Sequence, residues 1–579
     1  MNPGSETVAS GAARAGAAAA GTAVGPAAPP AGPAPAPVEA TVAAPTAAPP
    51  PGAVHSPPRR AAPARGSGRP ALLAPGFLRP ALLRHGTAVR LFLTVWLVYA
   101  LHATTNVVRE TYLAIALGER LSIRVDEFLG LHPDLFEIEG RGAFINNNPG
   151  ASMLGAVPYA LARPAIDLLL RLKPELESPK PPATYDDPRP NRTRFMNEAR
   201  ARGLDVKLGL AALSTGIGLM APLGAAAAVL MFLFLRTRLG NARTALWLAL
   251  LYAFGTPVFF RSAFLNQNAI LAHLTLGAYA VLAWPAGDGA AARRAAGAGF
   301  LLGTGLLCDF SAAPLLVAFG GWLLVTSAIR GGAAGALRAA AAFGLGAAGP
   351  IAVLLAYQWA AFGNPLLPAQ AYMPPTEYSV RGWNGFFWPA PELLWRNLLD
   401  PRYGLFAFAP MLAAALAAPF LRRRPGGPDA AGLALILTAS GALYLFVSSV
   451  QFAYLQHNTG VRYMVPAAPL LFLALLPVLL RLPRPALWLL VLPTIVVSWS
   501  TAMAREDVIT SIGRIFLRGF ELPVLTVLEK MASGYMPALA GGTSPLPLFL
   551  LAGAVIWLLW RGHATTEPPP LTGAPADDR

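Results

Sequence analysis

The chain has 579 residues, of which 55% are hydrophobic and only 13% charged, and its mean hydropathy is +0.50. A soluble chain carries about 25% charged residues, so most of this one is built for lipid as solvent. The formal net charge of +16 does not mark a nucleic-acid binder, because the arginines sit in short clusters between apolar runs, as topology-setting charges do. The lone cysteine, Cys308, lies in an apolar run and excludes both an intrachain disulfide and a zinc framework.

Residues 1–85 are Ala, Pro and Gly with a few Arg, and are nearly free of aromatics before Phe77. Such a segment buries too little apolar surface to offset its ordering entropy, so it is predicted to be a disordered tail. No apolar h-region follows the first residues, so it does not read as a secretory signal. From there to residue 562 the sequence predicts an all-α, polytopic transmembrane helix bundle. About twelve spans (11–13) are expected, near 88–108, 206–235, 244–264, 267–285, 294–308, 311–329, 339–361, 404–421, 431–450, 464–480, 485–503 and 545–561. The fifth and sixth meet at Asp309, which reads as an N-cap for the helix starting at Ser311. Glycines scattered through 331–350 suit close helix packing. Residues 563–579 are a second disordered tail. Segment 151–171 is apolar but carries Pro158, Arg163, Pro164 and Asp167. It is predicted to lie on the membrane surface as an interfacial helix of a large first outer loop, 109–205.

The connecting loops alternate in character. One set is short and basic: Arg236, Arg238 and Arg243; Arg293 and Arg294; Arg330 and Arg338; Arg422, Arg423 and Arg424; Arg481 and Arg484; Arg561. The other set, 109–205, 362–403, 451–463 and 504–544, is longer, mixed in charge and rich in aromatics. The positive-inside rule places the first set and both termini in the cytoplasm. The expected location is therefore the bacterial inner (cytoplasmic) membrane, multi-pass, with the active face periplasmic.

Loop 109–205 holds 14 of the 29 acidic residues, and a simple connector would not need its length. It carries Asp126-Glu127, His132-Pro-Asp134 and a turn-forming Asn146-Asn147-Asn148-Pro149-Gly150. The other outer loops carry Phe362-Gly363-Asn364-Pro365, Tyr372, Arg402-Tyr403-Gly404-Leu-Phe406, and His457 followed by Gly460-Val-Arg462-Tyr463. Outward arginines such as Arg402 and Arg462 ask for an anionic partner, either a lipid phosphate or a carboxylate.

Taken in order, these pieces resemble the GT-C class of membrane glycosyltransferases, of the protein-mannosyltransferase and aminoarabinose-transferase type. The series covers roughly residues 88–480. It includes an acid after the first helix (Asp126-Glu127), Asn148-Pro149-Gly150 to Pro158-Tyr159, Arg236 to Gly240, Gly255-Thr256-Pro257 with a downstream His273, and the loop motifs above. The sequence departs from the pattern at Asn148, where many relatives carry Lys, and at His457-Asn458, where Gly-Gly is frequent. The resemblance implies a polyprenyl-phosphate-linked sugar donor and a periplasmic or cell-envelope acceptor (glycan, lipid or protein), with an aspartate of the first outer loop as general base. Asp126 is the first candidate and Asp134 the second. Arg402, Tyr403, His457, Arg462, Tyr372 and His273 are the expected substrate and lipid-phosphate contacts. Each has a plainer reading. Asp126 would flank a helix, Glu127 would pair with Arg124, Arg402 and Arg462 would pair with loop acids, and His273 would be a buried hydrogen-bonding residue. No cofactor is expected. Asp126 and Glu127 supply fewer oxygens than a divalent cation takes, and a cation remains an open alternative. A transporter or lipid flippase, and an inactive GT-C-like scaffold, are the competing functions.

Overall fold

A computed structural model of the chain describes residues 78–183, 190–284, 290–421, 426–535 and 542–562. The expected tails through residue 77 and from residue 563, and the basic run Arg422 to Arg424, lie outside the described residues. Helix α1 spans Leu78–Leu101, so helix begins inside the segment expected to be tail. A short turn leads to α2 (Arg109–Arg120). An antiparallel hairpin follows, β1 (Leu135–Ile138) and β2 (Gly142–Ile145), paired from Leu135 opposite Ile145 to Ile138 opposite Gly142. The described residues are mostly helical, as expected, and this two-stranded hairpin is an addition to the all-α reading. Helices α3 (Gly150–Leu172), α4 (Pro190–Ala201), α5 (Asp205–Thr215) and α6 (Ala221–Leu239) come next, α5 and α6 being joined through a π-helical turn at Gly216–Met220.

The chain continues through α7 (Ala242–Gly255), α8 (Pro257–Arg261), α9 (Gln267–Ala283), α10 (Ala291–Cys308) and α11 (Ala312–Phe362). It ends with α12 (Pro391–Leu399), α13 (Leu405–Phe408), α14 (Ala430–Ser449), α15 (Ala468–Leu479), α16 (Arg484–Ala504), α17 (Val508–Arg518), α18 (Pro523–Tyr535) and α19 (Leu546–Trp560). Side-chain caps fix several starts. Asn241 accepts the Thr244 N–H at 2.9 Å, Asn266 that of Ala269 at 2.9 Å, and Asp429 that of Gly432 at 2.8 Å. Asp309 separates α10 from α11 and accepts the Ser311 N–H at 2.8 Å, the capping role read from sequence.

Several expected spans differ from the helices found. The 244–264 run breaks at Thr256-Pro257 into α7 and the five-residue α8, because Thr256 is extended and proline starts a new helix. The 404–421 run is α13 followed by a 3-10 segment, Pro410–Phe420. The two runs 311–329 and 339–361 form α11, which is non-helical at Gly331 and at Gly332 (φ +61°) between them. Segment 151–171 is one continuous helix through both prolines. Among the described residues, five helical stretches are long and apolar enough to cross a membrane: Gly150–Leu172, Asp205–Leu239, Ala312–Phe362, Ala430–Ser449 and Arg484–Ala504. The first was expected to lie on the surface, but its length and composition suit a crossing. Five apolar helices are shorter, among them Gly86–Leu101 and Leu546–Trp560. Exposed apolar side chains such as Trp247, Val317, Leu345 and Leu489 line the outside. A water-facing surface would not tolerate so many, so the chain is a membrane protein.

The main core joins α1, α6, α7, α9, α10, α11, α14, α15 and α16. A second core holds α2, the hairpin, α3 and α5 against Tyr357, Ala361 and Phe362 of α11. Without a hydrophobic driving force between helices in lipid, close backbone approach through small residues takes its place. A Cβ on Gly299 of α10 would sit 2.0 Å from the Phe343 carbonyl oxygen of α11, and one on Gly346 would sit 2.0 Å from that of Ala296. Gly299→Ala is therefore expected to force the α10–α11 pair apart. The expected cost is about 1–3 kcal/mol of stability, read as a lower melting temperature of the purified protein in lipid nanodiscs.

Candidate functional site

The stretch that follows α1 folds back onto the ends of the helices. The six-residue turn between the last helical residue of α1 and Val108 delivers Arg109 and Glu110 as the first turn of α2. Arg109 lies between two carboxylates. Its Nε is 3.0 Å from Glu110 Oε1, and Nη1 donates to Asp134. Glu110 is buried and also accepts the Asn147 amide at 2.8 Å. Asn148 donates to the Leu306 carbonyl at 2.6 Å, and Gln370 donates to the Asn146 carbonyl at 2.8 Å. The three-asparagine turn thus fastens α2, α10 and the 363–390 loop to one point. Gly150 completes it, since a Cβ there would sit 2.7 Å from the Leu307 carbonyl oxygen.

Asp134 and His132 are coupled. The Asp134 backbone N–H donates to His132 Nδ1 at 3.1 Å, which leaves the proton of the neutral ring on Nε2. Burial pushes the His132 imidazole below its ordinary value despite nearby Asp134, so it is neutral at pH 7. Burial would raise the Asp134 carboxyl, but Arg109, His132 and Arg462 outweigh it and hold the group below the usual carboxylate range.

Arg109, Glu110, His132 and Asp134 line a cavity of about 1810 Å³. Arg261, Arg462 and Arg505 line it too. Arg261 is fully buried at the end of α8 and donates to the carbonyls of Thr459 and Gly460, each at 2.8 Å, and to that of Val461. Its Nη1 has no protein partner. Arg462 donates to the Tyr463 hydroxyl at 2.8 Å, and its buried Nε has no protein partner. Gln456 orients both residues by accepting their backbone N–H groups at 3.2 and 2.9 Å. Arg505, just past α16, donates to the Phe260 carbonyl and lies 4.0 Å from the Phe260 ring centroid. Burial, with repulsion from Arg192, pushes its guanidinium down to about 9. Among the described residues, no carboxylate forms an ion pair with Arg261, Arg462 or Arg505. One wall of the cavity is aliphatic, from Leu210, Leu213, Leu306, Ile351, Leu354 and Leu355.

The structure sorts the residues singled out from sequence. Asp134, His457, Arg402 and Arg462 line the cavity; Asp126, Tyr372, Tyr403 and His273 do not. Asp126 is half-exposed, 2.9 Å from Arg124 Nε, and accepts the Ala143 N–H at 2.6 Å, so it ties down β2. Glu127 pairs with Arg120 at 2.8 and 2.7 Å rather than with Arg124, because the last turn of α2 brings Arg120 alongside. Arg402 is held by Asp400 at 3.0 and 2.8 Å, the loop-acid pairing that was its plainer reading. His457 Nδ1 lies 2.8 Å from the Tyr454 carbonyl oxygen at the exposed rim. Tyr372 stacks on Phe362 at 5.1 Å, and Tyr403 is buried. His273 is buried in α9, but neither ring nitrogen has a protein partner, so the expected hydrogen-bonding role is not seen. Asn266 caps α9 and Gln267 lines the cavity. Sequence reasoning missed Arg109, Glu110, Arg261 and Arg505. Arg109-Glu110 had a signal in its place just after the first helix, and Arg261 in being a charge inside an apolar run.

No protein-family model, curated protein or solved structure matches the chain.

The Asp134 pairing has a testable pH signature. A carboxyl held lower in the fold than when unfolded (ordinary value 3.8) contributes stability that is complete above that value. The contribution is lost as pH falls through the folded value. Asp134→Asn is expected to lower the melting temperature at pH 7, with a deficit that shrinks as the pH approaches 3. A deficit independent of pH would disprove the ion-pair account.

Proposed function

We propose that this chain is a membrane glycosyltransferase of the GT-C type, moving a sugar from a polyprenyl-phosphate-linked donor to a cell-envelope acceptor. One observation carries the reading. One cavity is lined by an ionised carboxylate, Asp134, by guanidinium groups that form no ion pair among the described residues, and by aliphatic side chains. An amphiphilic anion meets all three requirements: its phosphate answers Arg261, Arg462 and Arg505, and its isoprenoid chain answers the wall. The ordered sequence motifs support the same class. The alternation of basic and mixed loops supports about twelve spans, cytoplasmic termini and a periplasmic cavity in the bacterial inner membrane.

In the reaction, the acceptor oxygen bonds to the sugar C1, and the bond from C1 to the phosphate oxygen breaks. The electron pair leaves on the polyprenyl phosphate, where the arginines stabilise the growing charge. The acceptor proton passes to Asp134. Arg109, itself paired with Glu110, holds that carboxylate in place. Asp134, not Asp126, is the proposed base, because Asp134 lines the cavity and Asp126 lies outside it.

The test uses purified protein in liposomes with a panel of radiolabelled polyprenyl-phosphate sugars and a cell-envelope extract. Label transfer is expected, reduced at least about a hundredfold by Asp134→Asn and changed little by Asp126→Asn. Transfer lost in Asp126→Asn and kept in Asp134→Asn would return the base to Asp126. No transfer with any donor, alongside lipid movement across the bilayer, would sink the enzyme reading in favour of a flippase.

A further inference from the structure

The cavity has a second wall, unlike the aliphatic one. Between α11 and α12, residues Trp383, Asn384, Gly385 and Phe386 form a two-residue hairpin turn. The Trp383 N–H donates to the Phe386 carbonyl and the Phe386 N–H to that of Trp383, both at 3.0 Å. Asn384 (φ +51°) and Gly385 (φ +82°) both take left-handed backbone, as such a turn requires. A Cβ on Gly385 would sit 2.7 Å from the Phe452 ring, so Phe452 packs directly beneath the turn. The turn is pinned to the end of α14. The Gln451 N–H donates to the Gly385 carbonyl at 2.8 Å and the Phe387 N–H to that of Ser449 at 2.9 Å.

This anchoring presents aromatic faces to the cavity. Tyr378, Trp383, Phe386 and Phe452 line it, with Glu377 and Asn384 among them. Trp383 is 61% exposed although its backbone is fixed on both sides. Trp388 and Trp395, also exposed, do not line the cavity and suit the aromatic belt of a membrane interface. Trp383 differs in lining the cavity.

We infer that this wall is the acceptor subsite and that the acceptor is a saccharide. Resting on the transferase reading above, this assigns the acceptor class. A sugar ring has one largely C–H face and a rim of hydroxyls. The positively polarised C–H bonds suit the negative face of an indole or phenol ring, and the hydroxyls suit a carboxylate and an amide at its edge. An isoprenoid needs no such polar rim and finds the aliphatic wall instead. The turn fixes the Trp383 backbone before the ligand arrives, so no backbone ordering entropy is lost there on binding.

The experiment separates this proposal from the transferase reading by measuring binding directly. Purified wild-type protein in nanodiscs is titrated calorimetrically, without donor, with lipid-free oligosaccharides released by mild acid from the producing cell's envelope. Peptides from the same envelope are the comparison. Oligosaccharide binding is expected, weakened at least about tenfold in Trp383→Ala and largely kept in Trp383→Phe, with melting temperatures unchanged. In the transfer assay Trp383→Ala is expected to raise the acceptor KM and leave the donor KM alone. Oligosaccharide binding without label transfer would keep the subsite and remove the enzyme reading. Peptide binding in place of oligosaccharide, or equal binding by wild type and Trp383→Ala, would overturn the inference.

Discussion

A guanidinium with no exposure to water must be solvated by something else, and Arg261 is solvated by three successive carbonyls, those of Thr459, Gly460 and Val461. Carbonyls inside a continuous helix are already used by their own backbone. The chain at 459–461 therefore has to be irregular, and α8 has to end where Arg261 can reach it. Gly460 (φ +76°) makes the approach feasible, because a Cβ there would sit 3.0 Å from the Phe260 ring. Once the 459–461 backbone is fixed by Arg261, the next residue, Arg462, is aimed into the cavity. A buried charge, expensive in a membrane protein, thus organises two distant stretches of chain, about 200 residues apart in sequence.

The same logic extends around the cavity. Arg109 bridges two carboxylates, which offsets part of the repulsion between Glu110 and Asp134. Among the described residues, Arg261, Arg462 and Arg505 form no ion pair, and they lie against the aromatic rings of Phe260, Phe264 and Tyr463. Ring faces attract cations but do not cancel their charge. The cavity lining as a whole carries as many carboxylates as arginines, so what is distinctive is the local pairing and not the total charge.

The sequence made the helical character, the lipid-facing composition and the concentration of acids in 109–205 legible, because each rests on patterns spread over many residues. The Asp309 cap and the Asn-Pro-Gly turn were legible for a different reason: each is a local backbone device whose partner is a few residues away or a close-packed neighbour. Side-chain partners across loops were not legible. Glu127 meets Arg120 instead of Arg124 because α2 sets its direction, and Asp126 points at β2 because a hairpin forms where none was expected. Averaging hydropathy over a window hides a single charge, which is how Arg261 escaped notice inside an apolar run.

Helix breaks and buried charges coincide in this chain, and each explains the other. α7 stops at Thr256 and α8 at Arg261; α10 stops before Asp309; α16 stops at Arg505, in left-handed backbone (φ +62°). Each break exposes backbone groups that a continuous span would hide. In hydrocarbon such groups are tolerated only where protein or a wet cavity satisfies them. Here they serve the arginines and the cap of Asp309, and the breaks gather around one cavity. Short helices that fail the length test for crossing a membrane are therefore not defects in a bundle. They bring carbonyls, charges and rings together around one cavity.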